Sequence, residues 1–74
     1  MQVLIVRTDF ITGKTTQSTD FLDALTYDAV YDYLDHTVSL SPADVEEVSE
    51  FKSDTFHTIT VEAVGVAWTF IRKD

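Results

Sequence analysis

Hydrophobic and polar residues follow a strand-like pattern near both ends of the chain. Residues 3–10 are rich in β-branched side chains and predict a first strand, with Leu4 and Val6 on one of its faces. Gly13 then offers a turn with positive φ. The polar, threonine-rich residues 14–19 predict a second strand at the edge of a sheet.

The middle of the chain changes to a helical period. Thr26 is suited to cap a helix, because its hydroxyl can accept a free backbone N–H. Behind it, apolar residues at helical spacing predict one packing face, made of Tyr27, Val30, Tyr31, Leu34 and Val38. Asp28, Asp32 and Asp35 lie about 100° around the helix from that face, so we expect their carboxylates on one exposed flank.

A second helix-start signal follows at Ser41, Pro42 and Asp44. It places a capping serine, a proline at the first helical position and an acid at the third. We therefore predict a second short helix, in which Val45 and Val48 face the core. Its acidic side chains should point outward, and these are Glu46, Glu47 and Glu50.

Two β-rich runs around Gly65, residues 55–61 and 66–72, predict a closing hairpin. Its expected core members are Ile59, Val61, Trp68 and Phe70. The predicted fold class is α+β in the order ββααββ, with two layers. A four-stranded antiparallel or mixed sheet would carry both helices on one face. No repeat or linker interrupts the sequence, so residues 1–74 are predicted to form a single domain.

The run Met1-Gln2-Val3 and the later turn Thr12-Gly13-Lys14-Thr15 resemble the opening strand and turn of ubiquitin. The resemblance is confined to residues 1–15 and implies a ubiquitin-like β-grasp arrangement. It transfers no function, because the last residues, 70–74, lack the terminal glycine pair of that family.

Charge is distributed unevenly along the chain. Residues 15–51 carry nine carboxylates and no Lys or Arg, whereas the rest is close to neutral, and the formal net charge is −8. Because 45% of the residues are apolar, the chain should fold rather than remain disordered. An acidic surface repels phosphates and anionic lipids, so we expect no direct binding to nucleic acid or membrane, and a basic protein as partner.

The sequence has no cysteine, which excludes disulfides and thiolate metal sites and fits a reducing cytoplasm. No secretion signal precedes the first strand-like residues, so a cytoplasmic location is expected. A domain this small is marginally stable, and a homodimer would add buried surface.

Patterns associated with enzymes are incomplete. The triplet at residues 13–15 matches the end of a phosphate-binding loop, but Thr8 stands where that motif needs glycine. His36 and His57 have no His or Cys at zinc-ligand spacing, and the acidic clusters lack the spacing of a calcium loop. We therefore predict no metal, no cofactor and no enzymatic activity.

Two functions fit the acidic block, and a merely solvated face is the simpler alternative. The first is mimicry of a nucleic-acid backbone: acidic helices would occupy the basic groove of a DNA- or RNA-binding protein. Such an inhibitor would be similar in kind to phage-encoded anti-restriction and anti-CRISPR proteins. The expected contact residues are Asp28, Asp32, Asp35, Glu46, Glu47 and Glu50, with Tyr33 as an aromatic anchor. The second is a structural or accessory protein that pairs through its exposed strand or a sheet face.

Overall fold

The computed structural model describes residues 1–73, in which five strands and one α-helix form two layers. The elements are β1 (Gln2–Asp9), β2 (Thr15–Phe21), α1 (Tyr27–Val38), a 3-10 helix (Pro42–Asp44), β3 (Glu47–Lys52), β4 (Phe56–Ala63) and β5 (Val66–Lys73). The strands form a single sheet in the order β2-β1-β5-β4-β3, and all neighbours are antiparallel. The first and last strands, β1 and β5, are therefore neighbours in the middle of the sheet.

The predicted order ββααββ and the four-stranded sheet are wrong, because the second predicted helix is a strand. The cap that suggested a helix is present, since the backbone N–H and the hydroxyl of Ser41 both lie 3.0 Å from Asp44 Oδ2. It closes only a 3-10 turn. Val45 is already extended, with φ −73° and ψ 124°, and the chain continues into β3.

Tertiary pairing explains why β3 replaces the helix. Every residue of β3 pairs with β4, from Glu47 opposite Glu62 to Lys52 opposite His57. This pairing satisfies backbone groups that β4 would otherwise expose at its edge. A helix over the same residues would place Glu50 four positions after another glutamate, which is a destabilising like-charge pair.

The other predicted elements are present. Most of their ends differ from the prediction by one or two residues. Thr26 caps α1, and its Oγ1 accepts a hydrogen bond of 3.2 Å from Ala29 N. The helix ends where Ser39 turns left-handed, with φ 56°, and donates its N–H to Asp35 O. The ubiquitin-like expectation is wrong for the sheet, because a β-grasp pairs its first and last strands in parallel, whereas β1 and β5 are antiparallel.

The core lies between α1 and one face of the sheet. The predicted hairpin residues are confirmed as core members: Ile59, Val61 and Phe70 are 0% exposed and Trp68 is 8% exposed. From the helix, Val30 and Leu34 complete the core, and burying a side chain of this kind contributes about 1.5–3 kcal/mol.

The packing face of α1 is narrower than its helical spacing predicts. Tyr27 and Val38 are 42% and 46% exposed, and Tyr31 is only half-buried.

No helix within residues 1–73 covers the opposite face of the sheet, which we call the open face. Within the same residues, no helix has the length and apolar character needed to cross a bilayer.

Candidate acidic interface

The three aspartates of α1 form an exposed ridge. Asp28, Asp32 and Asp35 are all solvent-exposed and follow one side of the helix, in agreement with the predicted stripe. We call these three side chains the acidic ridge. They sit one turn apart on a rigid element, so their mutual spacing is fixed by the helix and not by flexible loops.

Two grooves flank the acidic ridge. The larger, about 680 Å³, lies between the helix and the segment that follows β2. It is lined by Phe21, Leu22, Asp23, Asp28, Ala29, Asp32, Tyr33 and His36. The smaller, about 370 Å³, separates the helix from Ser41 and Pro42 and also includes Asp28 and Asp32. A partner could therefore reach the same carboxylates from either side of the helix.

The wall of the larger groove is held in place by the start of the chain. The backbone N–H of Leu22 donates to Met1 O at 3.0 Å, and the Met1 ammonium donates to Leu22 O at 2.8 Å. Leu25 then buries its side chain in the core, with 5% exposure. These contacts position Asp23 beside the helix and bring a further carboxylate to the acidic ridge.

Asp20 is a functional candidate that sequence reasoning missed. Its position in β2 is opposite Val3 in β1, so it lies on the helix-covered face of the sheet. There it lies near the hydroxyl of Tyr33. Burial, followed by the charge of Asp20, raises the pKa of Tyr33. The alternation within β2 was the available signal, but the predicted strand ended one residue before Asp20.

Tyr33, the predicted aromatic anchor, does not project freely from the helix. Its ring is half-buried and meets Phe70 edge to face, with centroids 5.6 Å apart and planes at 85°. The part that remains accessible lines the larger groove. Any aromatic contact with a partner would therefore be made inside that groove.

The second predicted carboxylate set is not assembled into one surface. Glu46 accepts the Val64 backbone N–H at 2.6 Å, and Glu50 Oε2 lies 2.5 Å from His57 Nε2. Glu47 stands opposite Glu62 on the open face. The prediction of an outward helical flank is wrong here, because successive side chains of a strand point to opposite faces.

One titratable base contacts the acidic ridge. His36 Nδ1 lies 2.8 Å from Asp32 O and 3.3 Å from Asp32 Oδ1. The backbone carbonyl first, and then the charges of Asp32 and Asp35, raise the pKa of His36 above its ordinary value of 6.5. As the pH rises through that pKa, His36 loses its proton and the ridge becomes more negative.

Three of the permanent cations belong to strands or to the first turn. Arg7 contacts Asp9 at 3.8 Å beside the first turn, Lys14 lies in that turn, and Lys52 ends β3. Within residues 1–73, no group of three or more His, Asp or Glu side chains has the geometry of a metal site.

Comparison with protein-family models, curated proteins and solved structures finds no match to this chain. Functional inference therefore depends on the geometry of the acidic ridge and of the sheet.

Proposed function

We propose that the chain is a non-enzymatic binding protein that inhibits a basic nucleic-acid-binding protein by occupying its phosphate-binding surface. The contact surface would be the acidic ridge of α1 together with Asp20 and Asp23. The carrying observation is that three exposed carboxylates follow one rigid helix and Asp23 lines the groove beside it, within a segment of the chain (residues 15–51) that has no Lys or Arg. We further propose that it acts in the cytoplasm, in keeping with a chain that has no cysteine.

The spacing of the acidic ridge supports mimicry of one strand rather than a duplex. Asp28 and Asp35 are seven residues apart, which corresponds to about 10 Å along the helix axis. The ridge thus presents one charge per roughly 5 Å, against one per about 3.4 Å for a single strand of B-DNA. Because Glu46, Glu47 and Glu50 point in different directions, the mimic is limited to about three successive phosphates.

Electrostatics of this kind favours fast association over high affinity. Complementary charge steers diffusional encounter and can raise association rates to about 10⁸–10⁹ M⁻¹s⁻¹ at low salt. Exposed charges are screened beyond about 8 Å at physiological ionic strength, so binding should weaken as salt is added. Specificity would then come from shape, with Tyr33 and Phe21 in the larger groove as the apolar contacts.

The experiment uses a basic nucleic-acid-binding protein recovered by affinity capture with the wild-type chain at low salt. Its affinity is measured from about 50 mM to about 500 mM salt for the wild-type chain and two variants of equal charge. One variant neutralises the ridge with Asp28→Asn, Asp32→Asn and Asp35→Asn. The matched control removes three charges elsewhere, with Glu47→Gln, Asp54→Asn and Glu62→Gln.

We expect the ridge variant to lose most of its affinity and the control to retain it. A competition assay with a short single-stranded oligonucleotide should show that the chain and the nucleic acid exclude each other from the target. Equal losses in both variants, or affinity that is indifferent to salt, would refute a role for the ridge.

A second candidate function is pairing of β2 with the sheet of a larger protein. All seven residues of β2 are exposed, and the strand forms an edge of the sheet without a Lys or Pro to block further pairing. The N–H of Gln17 faces the free side of β2, so proline there blocks added strands without removing a hydrogen bond to β1. An accessory protein of this kind should lose its partner in a Gln17→Pro variant and keep it in the ridge variant. Circular dichroism of Gln17→Pro would verify that the fold persists.

A further inference from the structure

The larger groove beside α1 combines negative charge with an aromatic ring. Asp28 and Asp32 line it from the helix, and Asp23 lines it from the segment that follows β2. The ring of Tyr33 is half-buried there, and its edge-to-face contact with Phe70, at 5.6 Å between centroids, fixes its orientation. The remaining lining residues are Phe21, Leu22, Ala29 and His36. This composition suits a ligand with a cationic head and an apolar stem.

The lining of the larger groove contains no permanent cation to balance its carboxylates. None of the residues that line it is Lys or Arg, and the whole segment of residues 15–51 has neither. Asp28 and Asp32 are four positions apart on one helix, where two like charges repel each other. A cation that enters the groove would relieve this repulsion.

Both walls of the larger groove are held in place without a ligand. On one side, Met1 and Leu22 exchange two hydrogen bonds of 2.8 and 3.0 Å, and on the other side Thr26 caps the helix. The volume of about 680 Å³ lies within the roughly 300–1,000 Å³ that is usual for ligand pockets. A preformed site of this kind avoids the cost of ordering its own side chains when it binds.

We infer that the larger groove receives an arginine side chain of the partner, an inference that rests on the proposed function for the identity of that partner. Nucleic-acid-binding proteins contact phosphates largely through Arg and Lys, so charge complementarity points to one of these two side chains. The groove favours arginine. Its planar guanidinium can donate to carboxylates on both walls, stacks on an aromatic ring such as that of Tyr33, and is more weakly hydrated than an ammonium.

His36 makes occupancy of the larger groove dependent on pH. Its Nδ1 lies 3.3 Å from Asp32 Oδ1, so a protonated imidazole competes with the incoming guanidinium for this carboxylate. The titratable groups that share the groove or adjoin His36 are Asp28, Asp32, Tyr33 and Asp35 on α1 and Asp23 across the groove. The pKa of His36 is raised, chiefly by the Asp32 carbonyl, and arginine should bind more tightly as the pH rises through that pKa. Bound arginine should in turn lower the pKa of His36, because the coupling is reciprocal.

NMR titration of the isotope-labelled full chain at low salt tests the inference with three capped tripeptides. They carry arginine, lysine or citrulline between two alanines, and citrulline keeps the shape of arginine without its charge. We expect the arginine peptide to shift the amide signals of Leu22, Asp23, Ala29 and Asp32, with a dissociation constant on the order of 1 mM. The lysine peptide should bind about threefold more weakly, and the citrulline peptide should cause no shift.

Single-charge variants locate the binding site of the arginine peptide. Asp23→Asn should raise the dissociation constant about threefold, whereas Asp54→Asn, in the exposed loop between β3 and β4, is the matched control and should change it little. Between about pH 5.5 and about pH 8.5, affinity should rise by about twofold or more in the wild-type chain and stay constant in His36→Gln. Unchanged amide signals from the core of each variant verify that the fold persists.

The absence of shifts at the groove residues, or equal affinities for the arginine and lysine peptides, would overturn the inference. Equal losses of affinity in Asp23→Asn and Asp54→Asn would also overturn it.

Failure of the proposed function gives a different result. If the ridge variant holds the captured partner as tightly as the wild-type chain, while the arginine peptide still shifts the groove signals, inhibition through the ridge is refuted and the groove remains an arginine site. If the ridge variant loses the partner but no peptide shifts the groove signals, only the inference about the groove is refuted.

Discussion

Val64 offers a test of backbone strain in the turn between β4 and β5. Val64 and Gly65 are the two central residues of this turn and have φ of 54° and 76°. Positive φ at both positions is the pattern of a type I′ turn, which favours Asn-Gly. A β-branched residue is unfavourable in the left-handed region, so we expect Val64→Asn to stabilise the protein.

The magnitude follows from two opposing terms. The left-handed conformation costs a residue with a Cβ about 1–2 kcal/mol of conformational free energy. Asparagine is one of the few residues that offset part of this cost, through local hydrogen bonding of its side chain. Val64 is 72% exposed, so replacing it gives up less than a third of the roughly 1.5 kcal/mol of a fully buried valine. The net gain should be about 0.5–1 kcal/mol, which corresponds to a rise in Tm of about 2–8 °C for a domain of this size.

Urea unfolding followed by Trp68 fluorescence provides the assay. Trp68 is the one tryptophan in the sequence and is 8% exposed, so its emission should report the loss of the core. With an m-value of about 1 kcal/mol/M, the midpoint should move up by about 0.5–1 M while the slope stays constant. The contact of Glu46 with the Val64 N–H involves the backbone and is retained in the variant.

Val64→Thr is the matched control, because threonine removes apolar surface but keeps the branched Cβ. It should show no gain in stability. If Val64→Asn unfolds at the same or lower urea concentration than the wild-type chain, strain in this turn does not limit stability. If Val64→Thr stabilises as much as Val64→Asn, the gain comes from polarity and not from the backbone.

Three further predictions concern α1. Leu34→Ala should destabilise by about 2–5 kcal/mol, seen as a lower urea midpoint, because Leu34 is 1% exposed and its removal leaves a cavity; a loss under 1 kcal/mol would contradict this packing. Thr26→Ala should cost about 1 kcal/mol through loss of the cap to Ala29, whereas Thr26→Ser should cost much less. The pKa of His36 measured by NMR titration should lie above 6.5, and Asp32→Asn should lower it. Because folding raises this pKa, the contribution of protonated His36 to the stability of the fold is complete at low pH. That contribution is lost as the pH rises through the folded pKa.

Local signals were sufficient to predict most of the individual elements, but not the five-stranded sheet that they form. The alternation in β1, β4 and β5, the glycine turns and the threonine cap of α1 each depend on residues that are close in sequence. The aspartate stripe followed for the same reason, since three side chains on one helix have a fixed relation once the helix is identified. These features needed no knowledge of the tertiary arrangement.

Residues 45–52 mark the limit of that approach. Val45 and Val48 have helical spacing, and the capping signal before them is present in the structure. Pairing with the edge of β4 decides that this segment forms a strand and not a helix. Strand β4 comes later in the sequence, so residues 45–52 do not reveal this pairing by themselves. A signal was nevertheless available at the far end, where Ser53 forms the turn into β4 by accepting the backbone N–H groups of Thr55 and Phe56.

The candidate site was predictable to a similar extent. The contact between Tyr33 and Asp20 joins a helix to an edge strand and depends on how α1 crosses the sheet. The placement of Glu47 and Glu50 on opposite faces depends on whether the segment has a period of two or of 3.6. Sequence alone could therefore place the helical carboxylates together but could not place the remaining ones.

The central position of the pair β1 and β5 has a consequence for how the protein is made. During synthesis, the β1–β2 hairpin leaves the ribosome first and the β3–β4 hairpin much later, and an isolated two-stranded hairpin is marginally stable in water. Neither can join the other until β5 emerges and bridges them. Folding should therefore wait for β5 and be slowed by the long loop closure, and a ribosome-stalled chain ending before Val66 should remain sensitive to protease.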